Sequence, residues 1–175
     1  MDILAKLMEK LSAYGLGRCG RDASLAPMTY WRIGGSADGL LAARDGENLA
    51  RALGLAREMG VAAAMLGAGS NLLVDDAGVR GLVVKLDPSG AALEIEGTRI
   101  RAGAGINLGD LVLAAARAGL SGLEHASNIP GSLGGLIVMN GGSNRCSIGD
   151  SILRVRGLDP DLNPFEYDRE QCAFA

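Results

Sequence analysis

Two glycine-rich segments carry residue types that could do chemistry, Gly67-Ala68-Gly69-Ser70-Asn71 and Ile129-Pro130-Gly131-Ser132-Leu133-Gly134-Gly135, each set between strongly apolar stretches. A short glycine run with a Ser and an Asn lets the backbone come close to a phosphate and aim several N–H groups at it, because no Cβ intervenes. Such a loop could cradle a nucleotide. Taken alone, Gly67-Ala68-Gly69 equally describes a tight turn that binds nothing. It lacks the third glycine and helix start of a Rossmann fingerprint and the Lys-Ser/Thr ending of a P-loop, so the two best-known nucleotide folds are disfavoured.

The other reactive residue types are sparse. Cys19, Cys146 and Cys172 are odd in number and far apart, which fits neither a disulfide framework nor a zinc site, and they read as reduced thiols. Cys146 follows Arg145 in a glycine-rich stretch, but no base accompanies it, so an ordinary free thiol is expected. Asp75 and Asp76 precede Ala77-Gly78, a turn pattern more than a cation site. No metal is expected.

Stepping outward to the elements that must hold these loops, glycine supplies 27 of 175 residues while proline supplies only 5 and the apolar fraction is 48%. The glycines therefore punctuate a folded core and do not signal disorder. With a net charge of −3 and few aromatic side chains, the chain offers neither a basic face for a phosphate backbone nor a platform for stacking bases, which argues against nucleic acid. Charges at Asp2, Lys6, Glu9 and Lys10 interrupt the N-terminal apolar residues, so neither a signal-peptide core nor a membrane span is expected there and the reading is of a soluble cytoplasmic protein.

Ile3, Leu4, Leu7, Met8 and Leu11 recur at helical spacing behind a possible Asp2 cap, and Gly15 and Gly17 stop that helix. A strand over 39–43, a helix over 47–59 and strands over 61–66 and 81–86 follow, with the first glycine loop before the last strand; buried runs alternating with helices favour parallel pairing. After the turn Asp87-Pro88-Ser89-Gly90, Leu93 and Ile95 and then Ile100 and Ala102 alternate with polar residues as in an antiparallel hairpin. Asn107 caps a helix bearing Leu108, Leu111, Val112 and Ala115, the second glycine loop follows, and strands are expected over 152–158 and 165–167. The organisation expected is a helical lead-in over 1–24, a first lobe over 25–88 and a second over 89–175.

Five segments then share one order and spacing: Thr29-Tyr30-Trp31-Arg32-Ile33-Gly34-Gly35; Leu66 to Leu73; Ala102-Gly103-Ala104-Gly105; Gly119-Leu120-Ser121-Gly122-Leu123-Glu124 running into Ile129 to Gly135; and Val138-Met139-Asn140. Together they resemble the UDP-N-acetylenolpyruvoylglucosamine reductase family over nearly the whole chain. The resemblance implies an α+β, two-lobed FAD-binding fold of the vanillyl-alcohol-oxidase (PCMH) type, with a small parallel βαβ lobe and a mixed or antiparallel lobe with helices. It implies non-covalent FAD, NADPH as hydride donor, and a UDP-sugar carrying an enolpyruvyl group as the substrate reduced in peptidoglycan precursor synthesis. By the same resemblance Gly67, Ala68, Gly69, Ser70, Asn71 and Leu72 match the loop whose amides hold the FAD pyrophosphate, and Pro130, Gly131, Gly134 and Gly135 match a second wall of the cofactor site. Arg32 reads either as a partner for an anion or as a structural side chain.

Two departures accompany the resemblance. The family's catalytic Arg follows a Phe-x-Tyr-Arg segment expected directly after Cys172-Ala173-Phe174-Ala175, and its Ser and Glu belong to a later substrate domain. No catalytic residue is therefore expected within this chain, and the second lobe is expected to be incomplete. Gly141-Gly142-Ser143-Asn144-Arg145-Cys146 stands where family members usually carry an Ala-Tyr-Gly-like turn. His125, the sole histidine, does not match the position at which flavoproteins of this broad fold attach FAD covalently, and reads as a polar surface or loop residue. Two other functions remain open, another flavin oxidoreductase of the same fold acting on a sugar or lactone, and a catalytically silent flavin- or nucleotide-binding module.

Overall fold

A computed structural model describes residues 2–174, so Met1 and Ala175, the outer bounds of the expected lead-in and second lobe, lie outside the described residues. The chain divides into two compact units, Met1–Gly90 and Ala91–Ala175.

The first unit is built on one four-stranded sheet. Helix α1 (Ile3–Ala13) starts where the Asp2 side chain accepts the Leu4 N–H, and α2 (Gly46–Glu58) starts where Asp45 accepts that of Asn48, each satisfying an amide that the first helical turn leaves open. Strands β1 (Gly17–Ser24), β2 (Ser36–Ala43), β3 (Ala63–Met65) and β4 (Val79–Leu86) stand in the order β1-β2-β4-β3, with β2, β4 and β3 parallel and β1 antiparallel to β2. One sheet face is sealed by both helices, where Leu7 and Leu11 of α1 and Ala52 and Ala56 of α2 pack with Leu41, Leu82 and Val84. A second cluster holds Leu25, Ala37, Leu66 and Val83 with Met28, Leu40 and Val74 against it. That cluster is roofed by loops, and one of them is the first glycine segment.

Strand β1 departs from the helical lead-in expected over 1–24: Gly-Arg-Cys-Gly-Arg-Asp-Ala-Ser has no apolar alternation to signal a strand, yet residues 17–24 join the first sheet. The structure pairs it residue by residue with β2, from Gly17 opposite Ala43 to Ser24 opposite Ser36. It is an edge strand held by backbone hydrogen bonds, and charged side chains suit an edge.

The second unit contains the hairpin β5 (Leu93–Glu96) and β6 (Arg99–Ala102), helix α3 (Leu108–Arg117) capped by Asn107, helix α4 (Leu133–Val138), the small pair β7 (Gly142–Ser143) and β8 (Cys146–Ser147), and the hairpin β9 (Arg154–Leu158) and β10 (Pro164–Asp168). Its core gathers Ile106, Leu108, Leu111, Ala126, Leu133, Leu136 and Ile148. Helix α4 corrects the reading of 129–135 as loop throughout: Gly134 and Gly135 occupy its first turn, and two glycines at ~1 kcal/mol each against helix formation hide the signal. Ser132 caps it, its hydroxyl accepting the Gly135 N–H at 3.4 Å. Asn144 and Arg145, both at positive φ, form the two-residue turn between β7 and β8 as left-handed hairpin turns require. No helix among the described residues is long and apolar enough to cross a membrane.

Candidate functional site

The first glycine segment leaves the carboxyl end of β3 and returns to β4 over residues 66–78. Parallel strands need a crossover between them, and here a loop makes it in place of a helix. Gly69 is buried and sits at φ +69°, where a Cβ would overlap the Met28 carbonyl and approach the Thr29 Cα at 2.9 Å. Only glycine fits both the left-handed conformation and the close approach. Gly67, Ala68 and Asn71 are exposed and Ser70 half-buried. Among the described residues no protein acceptor takes the N–H of Gly67, Ala68, Gly69, Ser70 or Asn71. Five successive amides without protein partners are donors that an anion could take up without a lysine.

The conformation of this loop is imposed from outside it. Residues 29–35 run alongside as a strap: the Tyr30 N–H donates to the Gly69 carbonyl at 3.0 Å, and the Gly35 N–H donates to the Asp75 carbonyl at 2.9 Å. Thr29, only 5% exposed, turns its hydroxyl toward the carbonyls of Ala26 and Ile33, each at 3.1 Å. The strap exposes Tyr30, Trp31 and Ile33, with Leu72 and Leu73 of the loop also exposed. Arg32 is exposed at φ +55°, and Asp75 and Asp76 form the expected turn, the Asp75 carboxylate accepting the Ala77 N–H at 2.8 Å.

The second set of residues belongs to the other unit. There Leu108 N–H donates to Gly131 carbonyl, Leu133 N–H to Ile106 carbonyl and Gly134 N–H to Ala104 carbonyl, at 3.1, 3.0 and 2.8 Å. Segments 104–108 and 131–134 are thereby laced together, and a Cβ on Gly134 would come within 2.9 Å of that of Ala104. Gly131 is buried, Gly134 half-buried, Pro130 and Gly135 exposed. The N–H groups of Ala104 and Gly105 have no protein acceptor among the described residues. Those two amides were absent from the expected site, although their motif was recognised. Thr29 lay in a recognised segment too, but nothing in the sequence singled out its hydroxyl.

His125 lies in a connecting turn, as one half of the expectation had it, but not at the surface: the turn Glu124–Ala126 buries Ala126 in the core and carries the imidazole to 9% exposure, with Nε2 lacking a partner among the described residues. The surrounding carboxylates are tied into the backbone. Backbone N–H groups, that of Gly122 among them, hold Glu124 below the usual carboxylate range, and the Ser147 N–H does the same for Asp150, with Arg169 assisting. A cleft of about 490 Å³ in this unit is lined by Asn140, Ser147, Gly149, Asp150, Arg169 and Phe174 among others. None of the expected cofactor-binding residues lines it.

The scaffold is α+β and sheet-based, and its first glycine loop carries backbone amides that no protein acceptor takes among the described residues. The chain belongs to the family of FAD binding domains, whose model matches residues 37–161, and its sequence is similar to curated UDP-N-acetylenolpyruvoylglucosamine reductases. It is 38% identical over 172 residues to the enzyme of that name from Halalkalibacterium halodurans, a match covering 98% of this chain and 57% of the relative. The crystal structure of the corresponding reductase (MurB) from Thermus caldophilus superposes with a TM-score of 0.73 at 35% identity, over 87% of this chain and 53% of that one. A solvent-stable cholesterol oxidase shares the fold alone, at TM-score 0.65 and 18% identity over 86% of this chain and 33% of its own. The α+β fold of the vanillyl-alcohol-oxidase type is thus the one observed. The chain spans about half the length of the curated relatives it matches.

Proposed function

We propose that this chain holds FAD non-covalently and forms the cofactor-holding half of an NADPH-dependent cytoplasmic reductase that converts UDP-N-acetylglucosamine enolpyruvate to UDP-N-acetylmuramate for peptidoglycan synthesis. The observation that carries this reading is the run of five partnerless amides from Gly67 to Asn71. A pyrophosphate asks for donors and dipoles, and the loop offers both at a place where a side chain could not fit. In this reading residues 25–88 and 89–175 are the two cofactor lobes. Gly67 to Leu72 take the pyrophosphate, while Pro130, Gly131, Gly134 and Gly135 offer backbone to the remainder of the cofactor.

FAD supplies the hydride chemistry when bound. What this chain contributes is binding and orientation: the amides fix the phosphates, and Gly134, pressed against Ala104, keeps that wall thin. The amides of Ala104 and Gly105 add two further donors. Groups that protonate the substrate or polarise its carboxylate are not among the residues assigned here, in keeping with a chain that spans about half of its relatives. A titration of the folded chain with FAD, followed by flavin fluorescence and visible absorbance, tests the reading. Quenching that saturates supports it, and an unchanged flavin spectrum overturns it. Addition of NADPH and then of the UDP-enolpyruvyl sugar under anaerobic conditions distinguishes a working reductase from a silent flavin module.

A further inference from the structure

We infer that Thr29 is a positioning residue for the cofactor loop, acting through the 29–35 strap; this rests on the FAD reading. The hydroxyl sits at the junction of two turns, 3.1 Å from both the Ala26 and the Ile33 carbonyls. The Thr29 carbonyl in turn accepts the Arg32 N–H at 3.2 Å. The hydroxyl and this carbonyl close the 29–33 turn, in which Arg32 is held at φ +55°, a conformation that costs a non-glycine residue ~1–2 kcal/mol and persists only where surrounding bonds enforce it. The next residue delivers the consequence: the Tyr30 N–H takes the Gly69 carbonyl at 3.0 Å. That carbonyl is thereby engaged on the strap side, while the amides of Gly67 to Asn71 have no protein acceptor among the described residues. Thr29 is 5% exposed, and its buried hydroxyl is spent on the two turn carbonyls.

The test uses the full chain as wild type, Thr29→Val, Thr29→Ser, Tyr30→Pro and Tyr30→Ala, each titrated with FAD and each unfolded in urea. Thr29→Val keeps the shape and removes the hydroxyl; the expected result is FAD affinity at least tenfold weaker at a urea midpoint close to wild type, with Thr29→Ser restoring affinity to within threefold. Tyr30→Pro removes the N–H that Gly69 accepts, and Thr29 at φ −109°, ψ 153° already has the extended conformation that a following proline demands. This variant is expected to bind FAD at least tenfold more weakly than Tyr30→Ala, which keeps the N–H. Should Thr29→Val fail to fold, the tyrosine pair decides. Equal affinities in wild type and Thr29→Val, or a Thr29→Ser as weak as Thr29→Val, or equal affinities in the two Tyr30 variants, overturn the positioning role while leaving FAD binding intact. A wild type that binds no FAD overturns the functional reading and the positioning role together.

Discussion

Gly69 is the residue at which geometry and chemistry meet. Its φ of +69° and the overlap that a Cβ would make with the Met28 carbonyl mean that a branched side chain must move the strap before it can fit. Gly69→Val is therefore expected to weaken FAD binding more than Ser70→Ala, which removes one hydroxyl whose hydrogen bond is worth about 0.5–1.5 kcal/mol. Parallel FAD titrations of the two variants check this, and equal losses would show that close backbone approach is not what the loop supplies. The glycines were legible in the sequence because their spacing and flanking apolar runs are unusual. Thr29 and the Ala104–Gly105 amides were not, since a hydrogen bond from a buried hydroxyl or an unpartnered backbone N–H leaves no trace in residue type. His125 misled for the reverse reason: a polar residue type predicts exposure, while its neighbour Ala126 is what the core recruits.

Among the elements, the β9–β10 hairpin adds exposed ion pairs to its antiparallel backbone ladder. Glu166 on β10 accepts from Arg156 and, at 2.7 Å, from Arg154 on β9, and the Arg156 hydrogen bond leads the causes that hold its carboxyl below the usual glutamate range. A group whose folded pKa is depressed contributes stability above its unfolded value and loses that contribution as pH falls through the folded one. Glu166→Gln is accordingly expected to be less stable than wild type near neutrality, by the small margin typical of exposed pairs. The two chains should converge in acid once the carboxyl is protonated. Urea midpoints across the acid range read this directly, and a gap independent of pH would remove the ion pairs from the account. Helices α1, α2 and α3 were readable from periodicity, and α1 and α3 also from the caps Asp2 and Asn107; the Asp45 cap of α2 emerged only from the structure. Strand β1 and helix α4 were not, because one is built on backbone pairing with polar side chains and the other opens on glycines; in both, partners distant in sequence override local preference.

At the scale of the whole molecule, no core cluster draws buried residues from both units: those of the first lie between Leu4 and Val84, and that of the second between Ile106 and Ile148. Residues 1–90 are thus expected to fold on their own with a cooperative urea transition, and Leu41→Ala, emptying a fully buried site, should cost that fragment about 2–5 kcal/mol. Circular dichroism during urea unfolding checks both; a broad, featureless transition would show that the first unit depends on the second. The membership of each core needed coordinates, because α1 and β4 meet only after the sheet is formed.

The strap has an optical consequence. Trp31 is the only tryptophan in the chain, two-thirds exposed at 66%, and its preceding residue is bonded to the cofactor loop through Gly69. A water-exposed indole emits at the red end of its band, where oxidised flavin absorbs, so under the proposed function Trp31 is a native donor dye beside the loop assigned to the cofactor. Resonance energy transfer from Trp31 then reports occupancy with no label attached, and Trp31→Phe supplies the dark reference against which every titration of this chain can be read.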